Sequence, residues 1–359
     1  MAGTRGDKGN IPQSGRGEKP TLRTIAESAG LAVTTVSRAL SGDPRIAAKT
    51  RERVAAIADA VGYVPDRAAQ RLRTGRTNVI SFILEPHDEM LAFGSMMIAG
   101  ITEAIRGTPY HLVVTPQFAD ADPVAPVRHI LRNRLADGII FCRTQPFDLR
   151  VRLLLEADFP FVTHGRTELA TPHPYVDFDN SAFARDAVLR LAARGHGKIG
   201  LIGAPDTYTF SQHLRHGFMA GIRETGAQAV DLDGISINSA PEDIRRRVFD
   251  RVSAGAADAF VCGGESPAMS VVAAVSDAGL AINRDIGLVA KQTTPLFGQI
   301  RPPVETIYED LTAAGRDLAE ILMKRIAGEP AEGLQRLQTG ERLFDVRAPR
   351  GAPIETAVE

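Results

Sequence analysis

The chain has 359 residues, 44% hydrophobic and 24% charged, an ordinary globular composition that supports one to three domains. The start of the chain lacks an apolar signal core, no run approaches the ~18 apolar residues that cross a bilayer, and only Cys142 and Cys262 occur, which argues against export, a membrane span and a disulfide framework and points to the cytoplasm. The net charge of −1 hides an asymmetry: residues 1–78 carry +7 and the remainder −8, so a polyanionic partner suits the N-terminal end alone.

Residues 1–20 lack periodicity and are expected to form a disordered tail. From Thr21 the pattern turns helical. Leu22, Ile25, Ala26 and Ala29 share one face, Thr21 is placed as the N-cap, and Gly30 ends the helix. A second helix is expected over Thr34–Leu40, burying Val36, Ala39 and Leu40, and a third over Ala47–Val61, stopped by Gly62. The stretch Thr24–Leu40 has the layout of a helix-turn-helix. Ala26 is small where two helices cross, Gly30 permits the tight turn, and Val36 anchors the second helix. That leaves Val33, Thr34, Thr35, Ser37 and Arg38 as the DNA-binding surface, with the start of the second helix entering the major groove. Arg38 suits guanine O6 and N7, Thr34 a base edge, and Val33 a thymine methyl. Ser37, Thr21 and Arg45 suit phosphates, which position the module without reading sequence.

After a hinge and linker expected over residues 65–78, β-type runs alternate with helical segments. The strands are expected at Val79–Leu84, His111–Thr115, Gly138–Cys142, Pro160–Thr163, Ile199–Ile202, Ala229–Ser236, Ala259–Cys262 and Ile286–Ala290. Helices are expected near 93–106, 123–134, 148–156, 181–194, 211–224, 241–254 and 267–278. Such alternation builds right-handed βαβ units and parallel sheets. The fold class is therefore an all-α helix-turn-helix headpiece (21–64) followed by a two-lobed α/β domain (79–347) of parallel sheets flanked by helices, with a tail over 348–359. The first lobe is expected to take residues 79–165 and 293–328, the second 166–292 and 329–347.

Ligands of parallel sheets sit at the carboxyl ends of the strands. The candidates there are His87, Phe93, Arg143 and Arg166 in the first lobe and Asp179, Phe210, Arg215, Glu265 and Gln292 in the second. Aromatic faces mixed with planar polar groups suit a carbohydrate. Enzyme readings find little support. The histidines are scattered singly without metal-ligand spacing, Gly-x-Ser-x-Gly and the P-loop are both lacking, and Gly195-His196-Gly197-Lys198 reads as a helix-to-strand turn. No cofactor is expected.

The headpiece run, followed by Lys49-Thr50-Arg51, Gly62-Tyr63-Val64-Pro65 and Ala68-Ala69-Gln70-Arg71-Leu72-Arg73, resembles the lactose/galactose repressor (LacI/GalR) family. The resemblance continues through Asp137-Gly138-Ile139-Ile140, Val176 to Asn180, Gly195 to Ile199 and Arg215 to Phe218, and so covers about residues 21–345. It implies a periplasmic-binding-protein-like sensor, a homodimer on a near-palindromic double-stranded DNA operator, and a small-molecule effector that releases DNA or, in some relatives, acts as corepressor. It also implies that Leu72, in a hinge helix paired with its partner's, wedges between base steps of the minor groove. The sequence departs from the family at Ala32, where a capping Ser is usual, at Leu214, where an arginine is frequent, at Gly264-Glu265 in place of an Asn-Asp pair, and at Ala290-Lys291-Gln292 in place of a Gly-Phe-Asp phrase. An activator or dual regulator of the same architecture remains an alternative. A solute-binding protein is the rival from another class, but it needs an export signal and has no use for residues 21–73.

Overall fold

The computed structural model describes residues 20–64, 75–85, 92–118 and 121–344. The expected tails, most of the expected hinge helix with Leu72, and His87 lie outside the described residues. The chain divides into two units, Met1–Thr77 and Asn78–Glu359.

In the first unit, α1 (Leu22–Ala29) is opened by a reciprocal cap. The Thr21 backbone N–H donates to Thr24 Oγ1 at 3.2 Å, and Thr21 Oγ1 accepts from the Thr24 N–H at 3.4 Å. Gly30 ends the helix in the left-handed region at φ 61°, which only glycine adopts without penalty. Helix α2 (Val33–Leu40) begins one residue earlier than its pattern predicts, and Ala32 gives it no side-chain cap, as the missing Ser implies. Ile25 and Ala26 of α1 pack with Val36 and Ala39 of α2 and Val54 and Ala58 of α3 (Ala48–Val61), with Leu22, Ile57 and Val61 partly buried around them.

The second unit holds two six-stranded sheets. The first lobe contains β1 (Val79–Leu84), β2 (His111–Pro116), β3 (Gly138–Cys142), β4 (Phe161–His164), β5 (Tyr175–Phe178) and β11 (Gln335–Gln338), in the order β11-β5-β4-β3-β1-β2, all parallel. Helices α4 (Phe93–Ala104) and α11 (Leu311–Ile326) cover one face of it, and α5 (Ala125–Asn133) and α6 (Leu149–Glu156) the other. The second lobe contains β6 (Lys198–Ile202), β7 (Gln228–Val230), β8 (Ala259–Cys262), β9 (Gly287–Gln292), β10 (Glu305–Tyr308) and β12 (Glu341–Phe344). Its order is β12-β10-β9-β8-β6-β7, with β12 antiparallel to β10. Helices α7 (Asn180–Ala193) and α8 (Thr209–Thr225) cover one face, and α9 (Pro241–Ser253) and α10 (Glu265–Asp277) the other. Covered on both sides, β3, β8 and β9 are buried along their whole length; β3 and β8 accordingly read as continuous apolar runs, while β9 ends in the buried Lys291 and Gln292.

The lobe boundaries differ from those expected. The chain crosses between the sheets from β5 to α7, from β10 to α11 and from β11 to β12. Residues 175–178 and 335–338 therefore belong to the first lobe and 305–308 to the second. These crossing strands are four-residue segments (Tyr-Val-Asp-Phe, Glu-Thr-Ile-Tyr, Gln-Arg-Leu-Gln) that mix polar with apolar positions, and only their pairing partners decide which sheet they join. The strand expected at Ala229–Ser236 stops at Val230, because Asp231, Asp233 and a left-handed Gly234 (φ 80°) turn the chain away. Helix α11 was not anticipated, although Leu311, Ala314, Leu318 and Leu322 keep a helical spacing and are all buried. Among the described residues no helix is long and apolar enough to cross a membrane.

Two helix crossings are so close that only glycine fits. A Cβ added at Gly217 of α8 would stand far inside van der Waals contact distance of the Ser181 carbonyl oxygen of α7, and Gly100 and Gly315 allow α4 and α11 to approach in the same way. Gly217→Ala is expected to destabilise the second unit by about 1–3 kcal/mol or more. Gly197→Ala, whose added methyl meets nothing within 4 Å, is expected to stay within about 0.5 kcal/mol of the parent. Denaturant unfolding of the two variants checks the contrast.

Candidate functional site

Each unit presents one candidate site. On α2 of the first unit, Val36 and Ala39 point into the core, and Val33 (43% exposed), Thr34 and Arg38 emerge together on the opposite side. Thr34 and Arg38 are one turn apart and so share a face. Thr35 and Ser37 flank it, half-buried. Thr21 lies exposed at the start of α1 with its hydroxyl engaged in the helix cap. Arg45, in the α2–α3 connection, forks onto Asp43, with Nε 3.0 Å from Oδ1 and Nη2 2.7 Å from Oδ2. The Arg45 guanidinium holds the Asp43 carboxyl down at about 2. Arg45 thus offers its fork already neutralised, whereas Arg38 stands exposed beside Thr34 on the outer side of α2.

In the second unit a cavity of about 830 Å³, counting its open mouth, lies between the lobes at the carboxyl ends of β3, β4, β5, β8 and β9. Aromatic walls are supplied by Phe93, Phe178 and Phe210, and polar groups by Arg143, His164, Asp177, Asn180, Glu265, Lys291 and Glu309. The lobes are bonded across it. Thr209, at the start of α8, donates its N–H (2.9 Å) and its hydroxyl (3.1 Å) to the Thr144 carbonyl, just past β3.

Lys291, buried in β9, places Nζ 3.0 Å from Glu309 Oε2, 2.6 Å from Asn180 Oδ1 and 4.6 Å from the centre of the Phe178 ring. An ammonium taken out of water must be paired in this way. Glu309 also stands 3.6 Å from His164 Nε2, and burial holds the His164 imidazole below its usual pKa. Glu265 opens α10. Its Oε1 accepts from the N–H groups of Thr293 (2.9 Å) and Thr294 (2.7 Å) and from the Thr294 hydroxyl (2.9 Å). Its Oε2 is buried with no hydrogen-bond partner, as is His164 Nε2. Asp177 Oδ2 stands 3.1 Å from Arg166 Nε and 3.9 Å from His213 Nδ1. Among the described residues no three His, Cys, Asp or Glu side chains group to hold a metal ion.

Of the expected effector residues, the structure brings Phe93, Arg143, Phe210 and Glu265 together at the cavity. Arg166 stands behind Asp177, which it pairs. Gln292 is buried beside the cavity and spends its amide on the Thr294 carbonyl. Asp179 is the N-cap of α7, accepting from the Ala182 N–H at 2.9 Å, and does not line the cavity. Arg215 points away on the exposed side of α8, where it pairs with Asp206 at 2.6 Å. Both are corrections with one cause: position near a strand end does not fix which side of a helix or turn a side chain leaves from. His164, Asp177, Phe178, Asn180, Lys291 and Glu309 were missed. Asp177, Phe178 and Asn180 lie in or just after the unexpected β5 and Glu309 follows the unexpected β10, so the strand-end rule had no strands there to act on, whereas His164 and Lys291 directly follow strands that were expected and were passed over.

The N-terminal unit matches the model of "Bacterial regulatory proteins, lacI family" over residues 21–66, and residues 188–345 match a periplasmic binding protein-like domain. The HTH-type transcriptional regulator AglR of Rhizobium meliloti is 32% identical over 350 residues, covering 93% of this chain and 96% of that protein. The chain belongs to the LacI family. It is accordingly a DNA-binding transcriptional regulator with a two-lobed sensor. Other LacI-family relatives include the HTH-type regulator CelR of Thermobifida fusca, 26% identical over 88% of this chain and 95% of that protein. Among solved LacI-family structures, the lac repressor dimer bound to operator and the anti-inducer ONPF shares the fold with a TM-score of 0.74 at 22% identity, covering 90% of this chain and 97% of that one.

The acid–base groups at the cavity make stability depend on pH with opposite signs. Burial pushes the Asp177 carboxyl up to about 6 against the pull of Arg166. The stability this group contributes is present below its unfolded value of 3.8 and is lost as pH rises through about 6. Burial, and then Arg166, pushes the His213 imidazole down to about 4. Its contribution is present above 6.5 and is lost as pH falls through about 4. Asp177→Asn is expected to reduce the stability lost between pH 4 and pH 7 by about 2 kcal/mol, and His213→Asn to reduce the loss between pH 6.5 and pH 4. Urea unfolding across pH 4–7 checks both signs.

Proposed function

We propose that this regulator is a homodimeric repressor whose hold on a palindromic operator is set by a saccharide bound between the lobes. The observation that carries the reading is Glu265. Its Oε2 is buried and unpartnered at a cavity walled by Phe93, Phe178 and Phe210. A buried acceptor left unmade costs about 1–3 kcal/mol, and a hydroxyl donated by a ligand satisfies it. Aromatic faces with a few placed acceptors suit sugar rings, which present apolar C–H surfaces edged by hydroxyls. The solved CelR–cellobiose complex, with a TM-score of 0.64 and 22% identity to this chain, supports the same ligand class.

A second copy of the chain accounts for β2, an edge strand of the first lobe with Val113 46% and Val114 45% exposed. Successive residues of a strand face opposite ways, so exposure of both leaves an edge that another chain covers. Ligand that favours one lobe arrangement shifts the operator equilibrium only by its differential affinity for the two states. We assign no catalytic role to the cavity and place the protein in the cytoplasm, where the operator is.

The test is operator selection from a random duplex library, followed by titration with mono- and disaccharides at fixed salt. Release of the selected duplex by a sugar that also raises the melting temperature supports the reading, and tightened binding identifies a corepressor instead. A sugar that stabilises the protein and leaves DNA affinity unchanged overturns the coupling. On the selected operator, Arg38→Ala is expected to cost about 1–3 kcal/mol of specific affinity and much less nonspecific affinity, measured by fluorescence anisotropy at one salt concentration.

A further inference from the structure

A second cavity adjoins the first and shares a wall with it. It holds about 710 Å³, counted in the same way, and lies between Gln117, Phe118, Asp148, Leu149 and Arg150 of the first lobe and Tyr208, which precedes α8 of the second. Arg143 lines both cavities. Its backbone is left-handed at φ 56°, a conformation unfavourable for a non-glycine residue that persists where the surroundings impose it. Here Arg150 Nη2 holds the turn by donating to the Arg143 carbonyl at 2.9 Å and to the Cys142 carbonyl at 3.3 Å. The Arg143 guanidinium is thereby set 5.4 Å from the centre of the Tyr208 ring and 4.0 Å from Glu85. Tyr208 stacks in turn on Phe210, with ring centres 5.8 Å apart and an interplanar angle of 18°, and Phe210 lines the first cavity. One wall of stacked planar groups therefore runs from the first cavity into the second.

The floor of the second cavity is charged but balanced. Arg150 is buried, with Nε 3.0 Å from Asp148 Oδ1, Nη2 2.7 Å from Asp148 Oδ2 and Nη1 3.2 Å from Gln117 Oε1. With Arg143 facing Glu85 as well, every cation at this place has a carboxylate beside it, so an anionic ligand finds no unbalanced charge. The rim is apolar, with Phe118 57% and Leu149 56% exposed. A pairing of planar polar groups with aromatic and aliphatic faces repeats the chemistry of the first cavity.

We propose that the second cavity is a further saccharide subsite, and that the effector is a neutral oligosaccharide of at least two rings, one in each cavity, with the linkage passing Arg143. The inference rests on the saccharide reading of the first cavity and specifies its length and charge. It also gives the second ring a regulatory part. Tyr208 comes from one lobe and the remaining lining from the other, so a ring held there adds contacts that exist only with the lobes together, and a longer sugar biases the equilibrium further than a single ring.

The test is calorimetric titration of the full-length protein and of the Phe118→Ala and Leu149→Ala variants with glucose, galactose, cellobiose, maltose and lactose. Both substituted side chains are exposed, so neither change threatens folding. The expected result is a disaccharide bound at least tenfold more tightly than either component monosaccharide, with both variants losing about tenfold on the disaccharide and nothing on the monosaccharide. A monosaccharide that binds as tightly as every disaccharide, or variants that bind the disaccharide like the parent, overturns the second subsite and leaves the first standing. Failure of every sugar to bind overturns the saccharide reading itself, and the second subsite with it.

Discussion

A single ammonium ties the sensor together. Lys291 lies in β9 of the second lobe, yet what surrounds it belongs to the places where the chain changes lobe. Phe178 ends β5, Asn180 begins α7, and Glu309 follows β10 just before α11. Two of the three crossings thus converge on one charge. Breaking a buried ion pair by removing one partner costs about 3–5 kcal/mol, because the remaining charge is stranded away from water. The crossings are for that reason not free swivels. Any rearrangement of the lobes has to keep Lys291 paired, and the cavity walls that share Phe178, Asn180 and Glu309 move with it.

The same constraint shapes the ligand chemistry. With Lys291 matched by Glu309, Arg166 facing Asp177 and Arg143 facing Glu85, the cleft is rich in charge while offering little that is unbalanced. What remains is a set of acceptors without partners, Glu265 Oε2 foremost, set among aromatic rings. Such a surface discriminates by the placement of hydroxyl donors more than by charge.

Apart from α11, whose helical spacing was overlooked, the local elements were legible in the sequence, and the long-range pairings were not. Helices α1 to α3, the long apolar strands and the helices between them follow from spacing, caps and glycines that act within a few residues. Strands β5, β10, β11 and β12 are short and mixed in polarity, and they are strands because neighbours distant in sequence pair with them. This one blind spot produced the displaced lobe boundaries and hid most of the missed cavity residues. Lys291 was visible as a departure from the family phrase, but its partners were not, since Asn180 is 111 residues away. Arg215 and Asp179 show the converse error: their neighbourhood was right, but the direction their side chains take depends on packing no window of sequence contains.

The bond between Thr209 and Thr144 is made partly from main chain to main chain, the N–H of one residue meeting the carbonyl of the other. Almost any side chain at either position leaves both atoms in place. This bond between the lobes is therefore insulated from drift in the residues that line the cavity. A lineage descended from this chain can alter the aromatic walls and acceptors of the cavity one at a time, while the main-chain bond between the lobes is inherited unchanged.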